Sequence, residues 1–235
     1  MPLDKQLADS LISFSFDLYK NAVQTACDKN VFISPSSVYT TLAMLHAGAR
    51  NNTLAEMTSS LKLKNSETPS CYDDMGTFLS LLMKGGNYVT LNCANRVYPN
   101  TDQSVLETYL LLMKRCFSST VNTLDFKSFP ERCRIEINDW VKSETKGRIQ
   151  ELLPCGSIMS DTSIVVVNAI YFKGQWQTTF DKFTTMKQIF SKSKVTKIQV
   201  DMMIKQFDDV RYSDNRTLDG KVLGMYYKGK DHTAW

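Results

Sequence analysis

Residues 163–180 read Ser-Ile-Val-Val-Val-Asn-Ala-Ile-Tyr-Phe-Lys-Gly-Gln-Trp-Gln-Thr-Thr-Phe. The β-branched and aromatic run from Ile164 to Phe172 predicts a strand covered on both faces. Asn168 interrupts the run at its centre. A buried amide is costly unless hydrogen-bonded, so a polar partner is expected beneath it. After Gly174, Trp176 and Phe180 either re-enter the core or cap the end of a sheet.

Working outward from this strand, helical spacing upstream is clear. Leu7, Leu11, Phe14 and Leu18 predict an amphipathic N-terminal helix. Ser34-Pro35 reads as a helix start, with the hydroxyl capping backbone N–H groups and proline at the first helical position. The helix that follows is small and apolar nearly all round, so burial is expected. Further helices are expected at 72–84, 104–117 and 131–147. Val89, Leu91 and Cys93 alternate with Thr90 and Asn92, which predicts a strand with unlike faces, and 119–126 a second one. From Thr162 onward strands dominate. Helices first and mixed sheet later make an α+β fold, taken as one domain over 1–235, helical to about 87 and sheet-rich from about 88.

At 235 residues and 43% hydrophobic, the chain can bury a substantial core. Its net charge of +4 is mild. The densest basic stretch holds Lys182, Lys187, Lys192, Lys194, Lys197 and Lys205, and reads as a solvated strand face; no nucleic-acid partner is expected. No apolar run reaches the eighteen or so residues that span a bilayer, so no membrane partner is expected. The six cysteines (Cys27, Cys71, Cys93, Cys116, Cys133, Cys155) are widely spaced without a C-x-x-C, a pattern of free thiols. Two sequons occur, at Asn51-Asn52-Thr53 and Asn215-Arg216-Thr217.

Catalytic motifs are thin. Ser59-x-x-Lys62, Ser143-x-x-Lys146 and Ser191-x-x-Lys194 match the S-x-x-K of serine β-lactamases, and Ser213-Asp214-Asn215 its S-D-N. With 22 serines and 20 lysines, about two S-x-x-K matches arise by chance, and K-T-G is missing. Only His46 and His232 are present, and His46 falls in a helix expected to be buried. No enzyme, metal site or cofactor is expected.

Residues 163–180 resemble the serpin family's third central strand, V-N-A-x-x-F-K-G-x-W-x-x-x-F. Three further blocks resemble that family in the same order. Asn30 to Ser37, with Leu42 to Arg50 and Thr53, is similar to the N-x-x-x-S-P-x-S segment, its buried helix and the closing G-A-x-x-x-T. Ile137 to Val141, with Thr145, Gly147 and Ile149, is similar to the helix across the front of the large sheet. Thr185, Phe190, Val200, Met202 and Met203 match the T-x-x-x-x-F and V-x-M-M patterns. Asp201 and Tyr226 depart from it, standing where the family usually has proline.

The resemblance implies a serpin-like fold: helices around a large mixed sheet, with a second sheet. It implies a mechanical role in inhibiting a serine protease, with a cysteine protease as the alternative target. In the family, a reactive loop is cleaved and inserts as a new strand while the protease is still acylated. Ser34, Ser37 and Asn168 match the polar cluster where the sheet opens, and Trp176 the aromatic near the top of the opening. Each has a plainer structural reading: a cap, a first-turn serine, a satisfied amide, a core ring. The family's reactive loop lies beyond the residues matched, so 1–235 reads as a truncated serpin, inactive alone and prone to self-association. A non-inhibitory chaperone, carrier or storage role is the alternative. Extracellular space is common for the family, whereas an N-terminus without a signal-peptide core reads as cytoplasmic.

Overall fold

The structure, a computed structural model, describes residues 4–26, 29–63, 70–83, 87–208, 210–215, 220–229 and 233–234. Cys27, His232 and the sequon residues Arg216 and Thr217 lie outside them. The chain packs as two units, one of Met1–Lys84 with Leu91–Tyr171, the other of Gly85–Thr90 with Phe172–Trp235.

The first unit is built on helices α1 (Lys5–Ala26), α2 (Pro35–Gly48), α3 (Asn51–Ser60), α4 (Ser70–Met83), α5 (Glu107–Phe117) and α6 (Pro130–Glu144). Its strands belong to a sheet of order β2-β1-β3, from β1 (Val89–Pro99), β2 (Thr120–Val121) and β3 (Ile164–Gly174). Strands β1 and β2 run parallel, with Arg96 opposite Thr120 and Val97 opposite Val121.

Period-two alternation sends neighbouring residues of one strand into different cores. Val97 and Val166 join a cluster with Leu7, Leu11 and Phe14 of α1 and Tyr39 and Met44 of α2. Tyr98, Val167 and Ala169 join a second cluster with Ile137 and Val141 of α6. Strand β3 is therefore packed from both sides, as its sequence requires. Full burial is confined to Val167 and Ala169, because the far edge of β3 carries no strand among the described residues. The spacing of α1 is met as well: Leu7, Leu11 and Phe14 are buried, and Phe14 meets Tyr39 edge-on at 5.3 Å.

Several expectations are corrected. Helix α2 is buried along one side, through Tyr39, Thr40, Ala43, Met44 and His46, while Val38 is exposed. The helix expected from 104 begins at Glu107, because Leu106 holds an extended backbone at its N-cap. The strand expected over 119–126 shrinks to Thr120–Val121 plus a bridge from Leu124 to Asn100. The first sequon has Asn51 and Thr53 exposed in the opening turn of α3.

In the second unit, β4 (Met186–Ser191) and β5 (Lys197–Met202) form an antiparallel hairpin. Strands β6 (Arg211–Asn215), β7 (Gly220–Tyr226) and β8 (Thr233–Ala234) form an antiparallel meander. Asp201, the first departure from the family pattern, sits opposite Lys187 and binds it at 2.9 Å. At that position a proline would offer no such cross-strand ion pair.

Candidate functional site, a polar relay between helices and sheet

Asn168 lies inside a continuous chain of hydrogen bonds in the first unit. The Ser37 hydroxyl of α2 donates to Asn168 Oδ1. Asn168 Nδ2 donates to Asn95 Oδ1 of β1 at 2.6 Å and points at Cys93 Sγ at 3.3 Å. Asn95 Nδ2 donates to the Phe117 carbonyl at 2.9 Å. That carbonyl belongs to the last turn of α5, whose C=O groups have no helical partner. The relay thus runs from α2 through β3 and β1 to the end of α5.

Its direction is fixed by chemistry. An amide oxygen only accepts, so Ser37 must be the donor, and each amide then presents its NH2 to the next oxygen. The backbone bond from Asn100 N–H to Ser163 O, 2.9 Å, and the contact between the two amides fit one antiparallel register that sets Asn95 opposite Asn168. Asn95 is 4% exposed, so its polar atoms depend on these partners. Burial raises the pKa of the neighbouring Cys93 thiol, and its bonds with Asn168 and Asn95 offset this only in part. The thiol stays neutral, accepting weakly from Asn168 Nδ2 and donating weakly to Asn95 Oδ1.

The four residues singled out in the sequence are distributed unevenly. Ser37 and Asn168 meet directly. Ser34 is outside the relay: its hydroxyl makes no cap bond and faces Ser36 Oγ at 3.4 Å. Its backbone carbonyl still accepts from Ser37 and Val38, closing the first turn. Trp176 belongs to the second unit, where it pairs with Tyr227 in an antiparallel bridge and stacks on its ring at 4.5 Å. Gly174 is required there, since a Cβ would sit 2.6 Å from the Tyr227 ring. Asn95 and Cys93 were not singled out, although they continue the inward alternation of Val89 and Leu91.

Other candidates have structural employment. His46 is 1% exposed, with Nε2 at 2.9 Å from Thr58 Oγ1 and Nδ1 at 2.7 Å from the Tyr72 hydroxyl. Thr58 gives its own proton to the Leu54 carbonyl, so His46 Nε2 carries the hydrogen and Nδ1 accepts from Tyr72. Burial lowers the His46 pKa and keeps the ring neutral.

Two S-x-x-K matches are helix ends. Lys62 and Lys146 adopt left-handed backbone (φ 57° and 52°), and their N–H groups bond the carbonyls of Ser59 and Ser143. The next residues, Leu63 and Gly147, bond back to Thr58 and Lys142, completing Schellman caps. The side chain of Lys62 is engaged by Asp17, 3.1 Å away. Asn138 of the I-N-D-W-V block pins the chain after α6, accepting from the Leu152 and Leu153 N–H groups and donating to the Leu153 carbonyl. Among the described residues no group of three His, Cys, Asp or Glu is placed to hold a metal ion.

Residues 9–235 match the family model described as Serpin (serine protease inhibitor). Iris of Ixodes ricinus is 34% identical over 229 residues, covering 97% of this chain and 60% of that protein. The leukocyte elastase inhibitor of Equus caballus is 34% identical over 230 residues, covering 97% and 59%. The structure of ovalbumin from emu (Dromaius novaehollandiae) superposes with a TM-score of 0.92 at 26% identity, over 97% of this chain and 62% of that one. The chain spans about 60% of the length of the curated relatives it matches. A sheet flanked by helices, the strand and helix blocks quoted from the sequence, and these matches agree: the chain belongs to the serpin family.

Proposed function

We propose that this protein is a serpin-type inhibitor of a serine protease, working by insertion of a cleaved loop as a strand beside β3. The observation that carries the reading is the relay through Asn168. It ties β3 to β1 and to α2 through side chains, and to α5 through the backbone carbonyl of Phe117. Admitting a strand at the far edge of β3 leaves its pairing with β1 intact. The Asn168–Asn95 bond then keeps β3 and β1 moving as one body while the Ser37–Asn168 bond to α2 resists their shift, which gives the sheet a closed state with a threshold for opening. The name of the leukocyte elastase inhibitor supports a protease partner. In this reading the chain contributes framework and no catalytic residue, and residues 1–235 alone are inactive.

The test compares a full-length form with residues 1–235, each mixed with trypsin-like, chymotrypsin-like and cysteine proteases. The full-length form is expected to give an SDS-resistant complex of summed mass with one of them, and residues 1–235 none. A full-length form that is cut as a plain substrate by every protease would favour a carrier or storage role. A covalent complex formed by 1–235 would overturn the account of the chain as framework.

A further inference from the structure

We infer that the first unit contains a binding site for a single-chain fatty carboxylate, at the junction of α2, α3, α5 and the sheet. A cavity of about 750 Å³ opens there, within the range of sites that enclose small ligands. Its apolar wall comes from Leu45, Met57, Val97, Leu112, Val121 and Ile164, contributed by six different elements and so fixed by the fold rather than by one mobile loop. Tyr109 forms one side, held by its hydroxyl bond to the Met44 carbonyl at 3.1 Å, with its ring in the space that a Cβ on Gly48 would reach.

The polar rim defines the head group. Arg50 is the one charged residue among the described residues that line the cavity, and no carboxylate lines it. The Arg50 guanidinium bonds the neighbouring Ala49 carbonyl through Nη1 at 2.6 Å, which holds it at the end of α2. Five guanidinium N–H donors exceed what one carbonyl accepts, so the planar fork keeps donors for a carboxylate. Thr53 and Thr108 add hydroxyls at the same rim. An apolar cavity with one cation at its mouth fits an amphiphile with a single acidic head. A cation, or the cationic group of a zwitterion, would meet no carboxylate among the described lining residues, and a neutral alcohol would leave the arginine without a counter-charge. The site is separate from the Asn168 relay and does not depend on the protease reading.

The probe is dodecanoate below its micelle concentration, titrated by calorimetry into the chain recovered from a defined size-exclusion peak. Dodecanol and dodecyltrimethylammonium serve as controls. Saturable one-to-one binding of dodecanoate is expected, weakened about tenfold or more in Arg50→Glu and lost in Thr108→Trp, which plugs the exposed mouth. Neither substitution touches the exposed apolar face of α1, so uptake there would continue unchanged in both variants. Absence of saturable binding, equal binding of the alcohol or the cation, or binding indifferent to both substitutions would each overturn the proposal. Circular dichroism of both variants, matching the parent, establishes that any loss is local.

Discussion

Asn168 could be picked from the sequence because it is the single amide in a strand of Ile, Val and Ala, where a polar group without partners would be expensive. Its partner Ser37 was found only through the family pattern. Asn95 escaped notice because a cross-strand neighbour depends on register, which no local pattern discloses. Asn168→Ala in a full-length form leaves Ser37 and Asn95 each short of a bond, at roughly 1–3 kcal/mol. A lower melting temperature and faster polymerisation on heating are expected. A variant matching its parent in both measurements would reduce Asn168 to an isolated amide. His46 gives a second residue-scale expectation. Its folded pKa lies below the ordinary value of 6.5, so the unfolded chain takes up the proton first. The stabilisation is complete above that value and is lost as pH falls below it. Full-length His46→Gln should therefore lose less stability than its parent between pH 7 and pH 5, measured by urea unfolding. Parallel losses would show that His46 takes up its proton equally in the folded and unfolded states.

Elements were legible in proportion to how far they depend on local chemistry. Helix α6 appeared near its expected bounds, because Pro130 starts it and the left-handed pair Lys146 and Gly147 stops it. The helix expected from 104 and the strand expected to 126 were overextended, since apolar residues such as Val105 and Leu124 pack without joining a regular element. Helix α5 ends on Ser118 in left-handed backbone (φ 48°), followed by a bond from Ser119 N–H to the Met113 carbonyl. A side chain there strains the cap, whereas glycine adopts the same φ freely. Ser118→Gly should raise the stability of a full-length form by roughly 0.5–1 kcal/mol, seen as a melting temperature about 1 °C higher. A lower melting temperature would mean that the Ser118 side chain makes a contact worth more than the strain.

At the scale of the whole molecule, exposed apolar surface decides how residues 1–235 behave on their own. A compact protein of 26.7 kDa exposes about 11,000 Å², and two separate compact bodies of that total mass about 13,000 Å². This chain exposes 16097 Å². Part of the excess is the outer face of α1, where Ile12, Phe16, Tyr19 and Val23 stand at helical spacing in water, with Phe32 and Val38 exposed before and within α2. An amphipathic surface helix carries polar residues on that face, so α1 is apolar on two sides. A second part is the β3 edge, which lacks a strand partner among the described residues and runs through Ile164 and Phe172, both exposed. Open edges of this kind pair with other chains. Burying one such side chain is worth roughly 1.5–3 kcal/mol against a net stability of about 5–15 kcal/mol, so several together decide the state of the protein. Residues 1–235 expressed alone should therefore associate, bind a hydrophobic dye strongly, and elute from size exclusion above monomer mass. Lys substitutions at Ile12, Phe16 and Tyr19 should reduce dye binding, and a proline within the β3 edge should reduce growth of the assemblies. A monodisperse monomer with a sharp cooperative melt and little dye binding would refute this, because the chain would then have to bury these surfaces against itself.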